Sequence, residues 1–451
     1  MKINLFSILF TSANIVNAQL IPQFFTLDNA DIIHEDTVMP ETFMDSLFGS
    51  LVNTPYSTKY KLKNLKSGKI SEPLSVQSQN ALGDYWEINK IKYPDPDSFD
   101  DFINPLYSGL VTFGHLPAAS NPMACFTDEF DMDIAILGAP FDSGVSYSPG
   151  ARFGPNGIRQ GSRRLGGGIS PIRGNSKSSK LVGLNPYNVL KVMDCGDVPM
   201  LPFDSRIALN QLYRGERAVH KHNTTDKSKN WKNTRIITLG GDHTVSLMNI
   251  RSAWETFVNG SGSVDSYAQE GLAVIHFDAH IDTWDPKVLG GGVTKYASLN
   301  HGTFLHYAHE AGYVSDHSVH VGIRAPYISS SDLQHDKDCG FETITSKDVD
   351  TLTPRGVGKK IKDIVGDRLV YITFDLDTFD PGMINSGTLE AGGLTSREVM
   401  TILDELEGLN IVGADVVEVS TPPNAMGNDV TGLLAAQVVD ELLGLMVVSE
   451  L

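Results

Sequence analysis

Gly271-Leu272-Ala273-Val274-Ile275-His276-Phe277-Asp278-Ala279-His280-Ile281-Asp282-Thr283-Trp284 decides the reading of this chain. Its first five residues are an uninterrupted apolar run, the pattern of a strand buried on both faces of a parallel sheet. Side chains alternate along a strand, so Asp278, His280 and Asp282 point the same way where that strand ends. Two carboxylates and an imidazole in so short a span are costly to desolvate alone and stable around a divalent cation. The alternative is a strand that simply ends in a polar loop. Two further clusters weigh against it.

Thr238-Leu239-Gly240-Gly241-Asp242-His243-Thr244 follows the apolar pair Ile236-Ile237. Its glycines permit a sharp turn, which sets His243 at a strand-to-helix junction. Phe374-Asp375-Leu376-Asp377-Thr378-Phe379-Asp380-Pro381 follows Leu369-Val370-Tyr371-Ile372, and period two again puts Asp375 and Asp377 on one face. Ligands of open α/β sheets bind beyond the carboxyl ends of the strands, so the three clusters belong to one site. His243, Asp278, His280, Asp282, Asp375 and Asp377 can then hold two ions if two carboxylates bridge. An oxygen-rich set with two imidazoles suits Mn²⁺. Asp242 and Asp380 lie out of phase with the ligands and read as structural, and His276 as a core or supporting residue. His306, His309, His317, His320 and His335 carry no pattern.

Gly-Gly-Asp-His, Asp-Ala-His-x-Asp and Asp-x-Asp-x-x-Asp-Pro, in that order, resemble the ureohydrolase family of arginases and agmatinases, from about Asp133 to the C-terminus. Gly138-Ala139-Pro140-Phe141-Asp142, Pro149-Gly150-Ala151-Arg152-Phe153-Gly154-Pro155 and Val417-Glu418-Val419-Ser420 lean to the agmatinase branch. The resemblance implies two Mn²⁺ per subunit, with Asp278 and Asp375 bridging, His243 and Asp282 completing one ion, and His280 and Asp377 the other. It implies that a hydroxide shared by the ions attacks a guanidinium carbon. Asp282 aims that hydroxide, Glu418 accepts the guanidinium N–H groups, and His301 moves protons to the leaving amine. The expected substrate is a small cationic guanidine, agmatine, cleaved to putrescine and urea. Guanidinobutyrate, guanidinopropionate and arginine are the alternatives, and homo-oligomers (trimers or hexamers) are usual in the family.

Two stretches depart from the family pattern. Gly382-Met383-Ile384-Asn385-Ser386-Gly387-Thr388-Leu389-Glu390-Ala391-Gly392-Gly393 lacks the usual prolines, and Thr421-Pro422-Pro423-Asn424-Ala425-Met426 replaces a Pro-x-Tyr-Asp continuation. Tyr296-Ala297-Ser298-Leu299-Asn300 runs straight into His301-Gly302, without the spacing before His-Gly by which arginases hold an amino-acid end.

The fold expected is a three-layer α/β/α domain over residues 129–451 with an eight-stranded, mainly parallel sheet. Its strands are expected at 133–138, 189–194, 235–239, 272–277, 318–323, 341–345, 369–375 and 411–417. Pro155 suits a first helical turn, Thr395-Ser396-Arg397-Glu398 a capping box, and 430–447 the last helix. Residues 1–18, with Lys2, a short apolar region and Val16-Asn17-Ala18, read as a secretory signal peptide. Residues 19–128 read as a partly flexible N-terminal extension, of which 102–117 packs on the core or on a neighbouring subunit. Asn223-Thr224-Thr225 and Asn259-Gly260-Ser261 are glycosylation sequons suited to an extracellular protein. No later stretch reads as a membrane span. Cys125, Cys195 and Cys339 lack metal-ligand spacing with one another and read as core or incidental, their pairing left open.

A net charge of −18 argues against nucleic acid and anionic membrane surfaces and suits a cationic substrate. A dinuclear phosphoesterase would need Asp-x-His and Gly-Asn-His motifs together with cationic groups, a set the chain does not have, since Gly-Asn-His is absent. A secreted binding protein on the same fold would have no need of Asp282, His301 and Glu418 together.

Overall fold

The computed structural model describes residues 110–117, 124–127, 130–166, 168–225, 231–258, 271–290, 298–422 and 429–449. All lie in one compact unit, Asn104–Leu451. The signal-peptide expectation, most of the N-terminal extension, Asn259, 291–297 and 423–428 fall outside the described residues.

Eight strands form one sheet: β1 Ile134–Gly138, β2 Val192–Asp197, β3 Arg235–Leu239, β4 Ala273–Phe277, β5 Ser318–Ile323, β6 Phe341–Thr345, β7 Leu369–Asp375 and β8 Asn410–Val417. Their order is β2-β1-β3-β8-β7-β4-β5-β6. Every pairing is parallel, as between β4 and β7, where Ala273 faces Val370 and Phe277 faces Phe374. The inner strands are apolar because both faces are covered: β1, β3 and β4 are buried at every residue. One expected strand is displaced. Residues 186–188 form a 3₁₀ turn capped by Asn185, which leaves Val189 exposed, and the edge strand begins at Val192.

Nine α-helices are described: α1 Ala124–Thr127, α2 Gly154–Gly161, α3 Ser205–His220, α4 Ser246–Phe257, α5 Phe304–Glu310, α6 Asp332–Asp338, α7 Asp348–Val365, α8 Ser396–Glu405 and α9 Val430–Val448. Helices α2, α7, α8 and α9 cover one face, and α3, α4 and α5 the other. Thr395 and Glu398 form the expected capping box of α8. Helix α7 is broken at Thr353, the residue before Pro354. Helix α9 corrects the statement that no later stretch could span a bilayer. Its 19 residues are long and apolar enough, but most are buried here, which is why it is apolar all round. It packs on α2 at glycines: a Cβ at Gly161 would collide with the backbone of Gly432. Its two carboxylates, Asp440 and Glu441, both pair with buried Arg173.

Two pieces of the expected N-terminal extension join this core. Phe113 is buried, with its N–H donated to Asp194 Oδ2 at 2.7 Å. Cys125 of α1 forms a disulfide with Cys195 of β2, so these two cysteines are a cross-link rather than incidental, while Cys339 is free and buried. The 70 residues between partners explain why sequence spacing did not pair them.

Candidate metal centre

Strand order brings the three clusters together. β3, β8, β7 and β4 are consecutive in the sheet, and His243, Glu418, Asp375 with Asp377, and Asp278 with His280 and Asp282 follow their carboxyl ends. Local turns then aim them. Asp242 caps the turn His243–Val245 through Thr244 N–H at 2.9 Å and accepts Gly144 N–H at 2.7 Å, the structural role expected of it. Asp278 and Asp375 each accept the N–H two residues on, from His280 at 2.6 Å and Asp377 at 2.7 Å. These bonds fix the orientation of each carboxylate.

The inward atoms form two groups. In the first, His243 Nδ1 lies 3.1 Å from Asp278 Oδ2, 3.1 Å from Asp282 Oδ2 and 3.3 Å from Asp375 Oδ2. In the second, His280 Nδ1 lies 3.2 Å from Asp278 Oδ1 and 3.0 Å from Asp377 Oδ2. Asp278 thus offers one oxygen to each group, as a bridging ligand must. Asp375 Oδ2 lies in the first group, and its Oδ1 accepts the Asp377 N–H.

The donor set fits divalent cations. His243 Nε2–H donates to Thr373 Oγ1 at 2.7 Å, and that hydroxyl donates to Asp415 Oδ1 at 2.5 Å. The tautomer is therefore fixed, with an Nδ1 lone pair facing three carboxylate oxygens. His320 Nε2–H donates to Asp336 Oδ1 at 2.9 Å, so its Nδ1 accepts from His276 Nδ1–H at 2.7 Å. His276 Nε2 is then a second lone pair, 3.0 Å from Asp278 Oδ2. His243 Nδ1, His276 Nε2 and Asp278 Oδ2 are all buried without a hydrogen bond. Acceptors crowded in this way repel one another, and a cation among them relieves it. Burial, then the charges of Asp377 and Asp278, pushes Asp375 well above the ordinary carboxylate range; burial and Asp278 push Asp377 up to about 6.

Glu418 and His301 stand beside the two groups. Glu418 Oε1 accepts His243 N–H at 3.0 Å and lies 3.0 Å from His301 Nδ1, while Oε2 is buried with no partner. His301 Nε2 lies 2.8 Å from Ser146 Oγ. Burial opposes charge on His301, but its hydrogen bond to Glu418 and that carboxylate's charge prevail and raise it to about 9. Asp282 and Glu418 both hold left-handed backbone conformations, with φ of 52° and 57°.

A cavity of about 130 Å³ opens onto these residues, lined by Ser146, His280, Asp282, Trp284, Leu289, His301, Ile328, Asp375 and Thr388 among others. All eight functional residues expected from the sequence thus come together in one place. The sequence reading missed Thr373, Asp415, His320 and Asp336 behind the ligands; His276, read as a core or supporting residue, is buried with Nε2 3.0 Å from Asp278 Oδ2. Asp415 had a signal: a carboxylate amid Ile411-Val412-Gly413-Ala414 and Val416-Val417 must have partners. The divergent 382–393 stretch contributes Thr388 to the cavity, and Glu390 Oε1 lies 3.7 Å from His280 Nε2. Of the sequon residues, Asn223 is exposed.

Comparison with known proteins agrees with this geometry. The Arginase family profile matches residues 132–444. "Putative agmatinase 1" of Schizosaccharomyces pombe is 41% identical over 356 residues, 76% of this chain and 83% of that protein. Guanidinopropionase of Pseudomonas aeruginosa is 31% identical over 353 residues, 78% of this chain and 96% of that protein. The solved proclavaminate amidinohydrolase of Streptomyces clavuligerus superposes with a TM-score of 0.61 at 29% identity, covering 76% of this chain and 99% of that one.

Proposed function

The chain belongs to the arginase family of ureohydrolases, and from that premise we propose that it is a dinuclear-manganese amidinohydrolase cleaving agmatine to urea and putrescine. The observation that carries the reading is the unpartnered, buried Glu418 Oε2 beside two clusters of ligand atoms. A carboxylate oxygen left without a donor is a receptor for one, and a guanidinium supplies N–H groups with positive charge.

A pair of divalent cations, when bound, lowers the pKa of a water to near neutrality and polarises it for attack. The protein's own groups do the rest. His243, Asp278 and Asp282 would hold one cation with Asp375, and Asp278, His280 and Asp377 the other. Asp282 accepts a hydrogen bond from the attacking water and aims it at the guanidinium carbon. Glu418 fixes the guanidinium plane. His301, held between Glu418 and Ser146, delivers a proton to the departing amine as the carbon–nitrogen bond breaks. Water and agmatine are thereby converted to urea and putrescine.

The tail assignment rests on the cavity wall. Trp284, Leu289 and Ile328 suit a methylene chain, and no Arg or Lys is among the described lining residues to meet a carboxylate. That favours agmatine over guanidino acids and L-arginine. The Cys125–Cys195 disulfide supports an oxidising compartment, and with it export after cleavage near residue 18. N-terminal sequencing of protein from its native host tests that; an intact Met1 in cytosolic material would refute it. A homo-oligomeric assembly is part of the same proposal, read by light scattering.

The central test is urea release by Mn²⁺-loaded protein on agmatine, 4-guanidinobutyrate, 3-guanidinopropionate and L-arginine. Agmatine is expected to give the highest kcat/KM. Preference for a guanidino acid overturns the tail assignment alone; no urea from any of them overturns the activity. Glu418→Gln keeps the shape but lowers the charge, and should cost roughly 3–5 kcal/mol, or two to four orders in kcat/KM, with metal content unchanged. Activity within a few-fold of wild type would show that Glu418 is not the guanidinium receptor.

A further inference from the structure

We propose that His306, His335 and Cys339 form a second metal site, distinct from the active centre, that binds a thiophilic divalent cation of the zinc class. His306 lies on α5, His335 on α6, and Cys339 at the residue that ends α6. His335 and Cys339 are four apart and share a helix face, which is turned towards His306. His306 Nδ1 is 3.1 Å from His335 Nε2, and Cys339 Sγ is 3.8 Å from that same nitrogen. The three donor atoms all lie within 4.8 Å of one another. A tetrahedral zinc with bonds of about 2.0 Å to nitrogen and about 2.3 Å to sulfur needs edges of roughly 3.3 and 3.6 Å between its ligand atoms. The His306–His335 and His335–Cys339 separations are within a few tenths of an ångström of those edges.

The ligand chemistry separates this site from the first. Two imidazoles and one thiol select a borderline or soft cation, whereas the carboxylate-rich centre suits Mn²⁺. Both histidines are half-buried and open to an entering ion, while Cys339 is 2% exposed. Burial, then the charges of Asp336 and Asp338, pushes the free thiol up to about 12, so cation binding would release its proton to solvent. Asp285 bears electrostatically on both His306 and Cys339, and water can complete the coordination.

The site would couple to the active centre through α6. Asp336 Oδ1 accepts from Thr283 Oγ1 at 2.5 Å, and Asp332 Oδ2 from Trp284 Nε1 at 3.0 Å, directly after Asp282. Helix α5 begins three residues past His301. An ion joining α5 to α6 therefore staples together the two segments that carry Asp282 and His301.

Cobalt tests this on the full chain, because a thiolate bound to Co²⁺ gives a near-ultraviolet charge-transfer band that oxygen and nitrogen ligands do not. With the disulfide intact and no thiol reductant, Cys339 is the one thiol in the chain. Co²⁺ added to Mn²⁺-loaded protein should raise that band with one equivalent, and Zn²⁺ should displace it. The band should vanish in Cys339→Ser, weaken at least tenfold in apparent affinity in His335→Ala, which keeps the thiol, and persist in Asp278→Asn. Protein that takes up Co²⁺ without the band, or a band that survives Cys339→Ser, overturns the proposal.

Discussion

Asp282 and Glu418 show what single residues contribute and what they cost. Neither is glycine, yet both have positive φ, a conformation that costs about 1–3 kcal/mol and persists only where the surroundings enforce it. Here the enforcement is visible: Glu418 N–H donates to Gly241 O at 2.8 Å, and Leu305 N–H to Asp282 O at 3.2 Å. The distortion turns each carboxylate inward, Asp282 towards His243 and Glu418 towards His301. His276 makes the same point about ligands. Its Nδ1–H is committed to His320, so Nε2 is left facing Asp278 among the first group of ligand atoms. His276→Phe should weaken Mn²⁺ binding about 10–100-fold, with activity recovered at high Mn²⁺. Metal titration followed by urea release reads both effects. Unchanged Mn²⁺ affinity would return His276 to the core. Asp278→Asn should hurt more than Asp377→Asn, because Asp278 alone offers an oxygen to each group; equal metal content and activity in the two variants would contradict that.

Elements follow their local sequence wherever burial is symmetrical. β3, β5, β6 and β7 begin and end where the apolar runs do, and the capping box at Thr395 opens α8 as read. The ligand positions were legible because each cluster follows the carboxyl end of a parallel strand; the period-two argument does not describe them, since only Asp375 lies on a strand and turns after β3, β4 and β7 aim the others. What the sequence hid depends on packing between distant elements. The edge strand β2 could tolerate polar residues and so slid by three positions, and the disulfide joins α1 to β2 across 70 residues. Helix α3 holds another such contact. Its Glu216 is 1% exposed, accepts from Thr238 Oγ1 of β3 at 2.9 Å, and is raised by burial to about 8. A carboxyl whose folded pKa lies above its unfolded value keeps the proton longer when folded. Its stabilising effect is complete below the unfolded pKa, near 4.5, and is lost as pH rises through about 8. Glu216→Gln retains an acceptor for Thr238 and cannot ionise. It should match wild type in stability near pH 4 and exceed it by about 3–5 kcal/mol at pH 9, read by denaturant unfolding at each pH. A constant offset between the two proteins across that range would contradict a neutral Glu216.

On the scale of the whole molecule, the metal centre is a structural joint as well as a reaction site. Its ligands come from the ends of β3, β7 and β4, and Glu418 extends β8, so four adjacent strands of the sheet converge there. Behind the ligands, Asp415 accepts from Thr373, Tyr371 and Asn249, which ties β8 to β7 and α4. Carboxylates crowded at strand ends repel across this joint until cations neutralise them, so binding and folding are linked. A ligand present at 100 to 1,000 times its Kd stabilises the folded state by about 3–4 kcal/mol per site. For a domain of this size each kcal/mol moves Tm by about 2 °C, so removing two ions should lower it by about 10 °C or more. Calorimetry of protein treated with chelator, then restored with Mn²⁺, checks the shift and its reversal. In Asp278→Asn the Mn²⁺-dependent rise should largely disappear, because the residue shared by both ligand groups has lost its charge. A Tm indifferent to chelation in the wild type would mean that the strand ends are held by hydrogen bonds alone, and that the cations serve chemistry without serving the fold.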